Sequence, residues 1–350
     1  MTRRIGPLAL LLAAALPVAA CSTGHTKPAP AMSERLAKPN GHDLAEFEQF
    51  FPRQPGAIPM VERQMLWGWD KGGPYGWRNK DGSSTHTVVR DGRRVGLEVP
   101  HAAVTVWLFG GSTAFGVGQS QDRTIASDLV RLTHDRGIDI RIENFGVSGY
   151  VNWQETSQFV DLLNAGQVPD IAVFLDGANE TALAVEREQY GLLDPTRTYF
   201  LSMSDDQRKL LEEQRVASGY ESTGDLDRAA GVQAVQYRRG IDLMRQAAAA
   251  HGVATIAFWQ PDLYTISPTA PGVKAALKIW NMDLDRQAAL ARLSASIRER
   301  SGVAPVDLSS SLDGAKEPIF FDVSHSNEYG ARLQAEAMLP HLMTLLKPDR

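Results

Sequence analysis

The 350-residue chain contains one cysteine, Cys21. No disulfide can form within it, so its stability must come from a hydrophobic core. There is no H-E-x-x-H sequence and no cysteine cluster, which argues against a catalytic zinc and leaves the metal expectation at none. A phosphate-binding loop is excluded at "GSTAFGVG", because Val117 stands where such a loop needs its lysine. A dinucleotide fingerprint fails in the same stretch, where Gln121 occupies the place of the third glycine. The G-x-S-x-G elbow is absent. Basic charge is not in excess: the formal net charge is −5, which offers no electrostatic footprint for nucleic acid. No internal repeat is present. What the chain does have is 43% hydrophobic and 22% charged residues, the composition of an ordinary globular domain with a substantial core.

The N-terminus reads as a targeting segment rather than as fold. Arg3 and Arg4 precede "PLALLLAAALPVAA", an apolar run too short to span a bilayer comfortably. It closes on "VAAC", which resembles a bacterial lipobox. The resemblance implies that residues 1–20 are a signal peptide and that Cys21 is lipidated after cleavage. It further implies an extracytoplasmic protein anchored to the cell envelope, on the outer membrane if the cell has one. Residues 21–40 are polar and carry three prolines, as a flexible tether would. Residues 41–100 are rich in Gly, Pro and Trp and read as loops with a short hairpin. Trp67, Trp69 and Trp77 serve there either to bind glycan or to glue the segment to the core.

From residue 101 onward strands and helices alternate. The buried-strand runs are "AVTVWLFG", "IDIRIENFG", "PDIAVFLDG", "VATIAFWQ" and "APVDLSS". Amphipathic stretches at about 123–137, 151–166, 229–251, 273–301 and 327–346 read as helices. The pattern predicts an α/β domain over 101–350, a three-layer α/β/α sandwich around a mostly parallel, five-stranded sheet. A charged insertion at about 186–228 interrupts it, either as a lid over a site or as a solvated surface segment. In such sheets ligands sit beyond the C-terminal ends of the strands.

Those ends carry a consistent inventory. Ser112 follows the first strand, Gly146 the second and Asn179 the third, while Asp322 and His325 stand three residues apart near the last helix. A serine hydroxyl attacks carbonyls once a base removes its proton, and a histidine oriented by a carboxylate is such a base. Backbone N–H groups of Ser112 and Gly146 and the amide of Asn179 are suited to hold the resulting oxyanion. Four blocks, "FGGSTAFG", "NFGVSG", "GANE" and "DVSH", resemble those of the SGNH (GDSL) hydrolases in the same order, over roughly 105–345. The resemblance implies a flavodoxin-like fold and a serine esterase or acylhydrolase that needs no cofactor and no metal. Its triad would be Ser112, His325 and Asp322. Gly111, Thr113 and Glu180 depart from the most familiar form of the blocks. The expected partner is an ester substrate, an O-acyl (O-acetyl) glycan first and a lipid second. O-acyl transfer to a sugar needs the same residues, and a non-catalytic glycan-binding envelope lipoprotein is the reading from another class.

Overall fold

The computed structural model describes residues 44–65, 67–71 and 75–346. The expected signal peptide, Cys21 and the expected tether lie outside the described residues. Helices α1 (Leu44–Glu48) and α2 (Ile58–Met65) come first, then strands β1 (Trp69–Lys71) and β2 (Trp77–Asn79), which pair with each other antiparallel. Three very short strands follow: β3 (Gly82–Ser83), β4 (Val88–Arg90) and β5 (Arg93–Arg94). The alternating core then runs β6 (Val104–Gly110), α3 (Ser112–Phe115), α4 (Ile125–His134), β7 (Ile140–Asn144), α5 (Asn152–Asn164), β8 (Ile171–Asp176), α6 (Ala178–Tyr190), α7 (Asp205–Ser218), α8 (Leu226–His251), β9 (Ala254–Trp259), α9 (Val273–Ile279), α10 (Leu284–Ser301), β10 (Val306–Asp307) and α11 (Glu328–Leu345).

The main sheet has the order β10-β9-β8-β6-β7-β5-β4-β3. Its first five strands are parallel and are the five expected. The sheet is nevertheless eight-stranded rather than five-stranded, because β5, β4 and β3 extend it antiparallel beyond β7. Residues 82–94 are therefore an edge of the central sheet. Their two- and three-residue strands carry too little periodicity to be read in sequence.

Side chains alternate across the sheet, as the pleat requires. Along β6, Val106 and Leu108 join a core with Ile125 and Leu129 of α4 and Ala335 and Met338 of α11. Trp107 and Phe109 face the other way, against Phe159 of α5, Tyr237 and Ile241 of α8 and Ile297 of α10. Both faces are thus covered, and every residue of β8 is buried.

Two helices differ from expectation. The helix expected over 273–301 is broken into α9 and α10: Asn281 takes a left-handed φ of 48°, and the Asp283 side chain restarts the helix by accepting from Arg286 N at 2.7 Å. Helix α6 occupies 178–190, so the insertion proper begins after Tyr190. Two acids of α6 tie that insertion down. Glu186 accepts from Ser202 N at 3.0 Å, and Glu188 accepts from Thr223 N at 2.8 Å and Gly224 N at 2.7 Å.

Candidate active site

Four chain segments converge beyond the C-terminal ends of β6, β7 and β8. Strand β6 delivers Ser112 directly into the short turn α3. His325 Nε2 lies 2.6 Å from Ser112 Oγ, and His325 Nδ1 lies 2.5 Å from Asp322 Oδ2. With Nδ1–H donated to Asp322, the Nε2 lone pair accepts the serine proton. The second Asp322 oxygen accepts from His325 N at 2.6 Å and Ser324 N at 2.9 Å, so the acid and the loop that carries the base fix one another. Phe321 stacks on the imidazole at 5.8 Å between centroids, with an interplanar angle of 16°. Ser112 is 9% exposed, Asp322 3% and His325 2%, so the chain of hydrogen bonds is shielded from water.

Thr113 joins the nucleophile turn to the histidine loop. Its Oγ1 donates to Ser324 O at 3.4 Å and accepts from Gln260 Nε2 at 3.1 Å. Sequence reasoning missed Gln260. Its amide donates to the hydroxyl of Thr113, 147 positions away in sequence, which leaves no local motif.

The opposite wall holds the expected oxyanion residues. Asn179 stands in the first turn of α6, and its Nδ2 donates to Tyr150 O at 2.6 Å. One hydrogen of that amide remains for a ligand. A Cβ on Gly111 would lie 2.2 Å from Asn179 Nδ2, so only glycine there lets the amide approach the nucleophile turn. A Cβ on Gly146 would lie 2.3 Å from Phe115 N, so the glycine loop packs backbone to backbone against the same turn. The Gly146 N–H, however, donates to Asn144 Oδ1 at 2.9 Å, while Asn144 Nδ2 donates to Ala114 O at 2.7 Å. Gly146 serves an oxyanion only by sharing its hydrogen with, or withdrawing it from, Asn144. Asn79 of β2 holds the loop from outside, donating to Gly146 O at 2.8 Å.

Behind Asn179 lie three fully buried carboxyl groups. Glu180 accepts from Gly177 N at 2.7 Å and Asn152 N at 2.8 Å, bridging the first turns of α6 and α5. Asp176 accepts from Tyr237 OH at 3.0 Å and Asn152 Nδ2 at 3.2 Å. Glu155 Oε2 and Asp176 Oδ1 are buried without a hydrogen-bond partner, and a proton shared between these two neighbouring acids would satisfy both. Burial pushes all three carboxyl groups above the usual carboxylate range, and their mutual repulsion raises Glu155 and Glu180 further. Among the described residues no group of three or more His, Cys, Asp or Glu is placed to hold a metal ion, and no helix is long and apolar enough to cross a membrane.

No family model matches the chain, and no curated protein does. Solved structures are similar to it. The lipase/acylhydrolase from Enterococcus faecalis shares 14% identity, over 71% of this chain and 99% of its own, with a TM-score of 0.41. TesA shares 16%, over 69% and 99%, at 0.40. Axe2, an acetylxylan esterase from Geobacillus stearothermophilus, shares 15%, over 69% and 94%, at 0.38. Likeness this distant bears on neither mechanism nor substrate, which are read from the site's own geometry.

Proposed function

We propose that the protein is a carboxylic ester hydrolase working through Ser112, His325 and Asp322. The observation that carries this reading is the unbroken hydrogen-bond chain from Ser112 Oγ through His325 to Asp322, which joins residues 213 positions apart. Ser112 Oγ bonds to the ester carbonyl carbon while its proton passes to His325 Nε2. Asp322 holds the imidazole in the required tautomer and stabilises the imidazolium. The oxyanion is held by Ser112 N–H and Asn179 Nδ2, with Gly146 N–H recruited from Asn144. Collapse breaks the bond to the alcohol oxygen, which leaves with the proton from His325. Water then attacks the acyl-serine by the same path, releasing the acid and restoring Ser112.

The near-complete burial of Ser112 and His325 favours a short acyl group, above all acetyl on an envelope or secreted glycan, over a long-chain lipid ester. Lipidation of Cys21 would keep the enzyme on the extracytoplasmic face of the envelope, in reach of such polymers. The purified full chain should hydrolyse p-nitrophenyl acetate faster than long-chain esters and should release acetate from O-acetylated glycans. Ser112→Ala should abolish both activities. A wild-type chain inert on all of these, or a Ser112→Ala chain with full activity, overturns the reading. Transfer of the acyl group to a sugar instead of water would appear as acylated acceptor without free acid. Cys21→Ala should move the protein from the membrane to the soluble fraction.

A further inference from the structure

Arg94 lies in β5, opposite Asn144 in the sheet register, and is 1% exposed. Its guanidinium reaches over the end of the nucleophile turn. Nη1 donates to Gly116 O at 2.9 Å, and Nη2 donates to Gln119 O at 2.7 Å and to His86 O at 3.3 Å. The guanidinium carbon sits 4.9 Å from the centroid of Phe115, the last residue of α3. Every one of these partners is uncharged. Among the described residues no carboxylate pairs with Arg94, and its Nε has no partner. Burial lowers its pKa to about 9, which still leaves it charged at neutral pH.

A buried cation with no counter-ion is costly, and neutral amides elsewhere in the same region do similar bonding without that cost. Gln64 already donates to Gln119 O at 2.6 Å and accepts from Gly118 N at 2.8 Å. What a planar guanidinium adds is a rigid fork that spans the Gly116 and Gln119 carbonyls together while standing over the Phe115 ring. Gly116 N and Val117 N in turn donate to Ser112 O at 2.9 and 3.1 Å, so the clamp is one residue removed from the carbonyl of the nucleophile.

We infer, on the esterase reading of the site, that Arg94 is a positioning residue that clamps the α3 turn and sets Ser112 Oγ against His325 Nε2, making the 82–94 strands a working part of the active centre. It touches no reacting atom. Its removal therefore acts on the reactivity of Ser112 rather than on substrate affinity.

The experiment compares full-length wild type, Arg94→Met and Arg94→Lys. It reads kcat and KM on p-nitrophenyl acetate and the rate at which diethyl p-nitrophenyl phosphate phosphorylates Ser112, with circular dichroism to establish that each chain is folded at the assay temperature. Arg94→Met should lose 10- to 100-fold in kcat and in labelling rate together, with KM within twofold. Arg94→Lys, which keeps the charge without the fork, should lose less than Arg94→Met but at least threefold. A folded Arg94→Met labelled within threefold of wild type overturns the inference. If Arg94→Met does not fold, the same threshold applied to Arg94→Lys decides. A wild type that neither turns over ester nor is labelled at Ser112 overturns the esterase reading, and the inference with it.

Discussion

The two walls of the site treat buried carboxyl groups in opposite ways. On the histidine side Asp322 is surrounded by donors: two backbone N–H groups and the imidazole, all within 2.9 Å. On the oxyanion side Glu155, Asp176 and Glu180 crowd together with no cation among their partners, and burial holds them toward the neutral form. The first wall aims three donors at the carboxyl group beside the imidazole that serves as base in the proposed mechanism. The second wall, where burial raises the pKa of all three groups, lessens the negative charge behind Asn179, and a fully ionised cluster there would repel the oxyanion that the proposed reaction develops. Donors and near-complete burial are common to both sides; what differs is the ionisable neighbour, an imidazole for Asp322 and other carboxyl groups for Glu155, Asp176 and Glu180.

That contrast can be broken from either wall. The largest effect is expected at Asp322. Asp322→Asn should lower kcat on p-nitrophenyl acetate by about 10⁴-fold, since the amide no longer selects the working tautomer. Phe321→Ala removes the ring packed on His325 and on Phe51, whose centroid is 5.0 Å away, and should cost about 3–5 kcal/mol of stability in urea unfolding. Asn179→Ala should lower kcat by about 10²–10³-fold with little change in melting temperature. That combination would assign the residue to the transition state rather than to the fold.

The smallest effect sharpens the comparison rather than breaking it. Acids whose folded pKa is raised bind protons that the unfolded chain has released, so their contribution to stability is full at low pH and is lost as pH rises through the raised values. Glu186, raised by burial to about 7, adds to the same trend. Stability of the wild type should fall between pH about 5 and about 8. Glu155→Gln, a permanently neutral replacement, should flatten that slope while leaving the melting temperature at low pH nearly unchanged. A steeper slope in the variant would show that Glu155 is ionised in the native protein.

The parallel half of the fold was legible because strands buried on both faces read as apolar runs, "AVFLD" in β8 being the clearest. The Asp322–His325 pair was legible because the two residues are close in sequence. Helix α6 was harder: it buries Glu180, Glu186, Arg187 and Glu188, so its polar residues break the usual amphipathic signal. Arg94, Gln64 and Asn79 could not be singled out. Most of their partners are backbone groups, and backbone groups leave no trace of identity in a sequence. The engagement of Gly146 N–H by Asn144 was hidden for a related reason, since the glycine block shows which backbone is bare but not where its hydrogen points.

The Asp322–His325 loop has a mechanical consequence. Acid and base are bound to each other through two contacts, and Ser324 N adds a third to the acid within the same four-residue span, so they travel as one cartridge. On the proposed mechanism, the distance between this unit and Ser112, now 2.6 Å, is the one that proton transfer depends on.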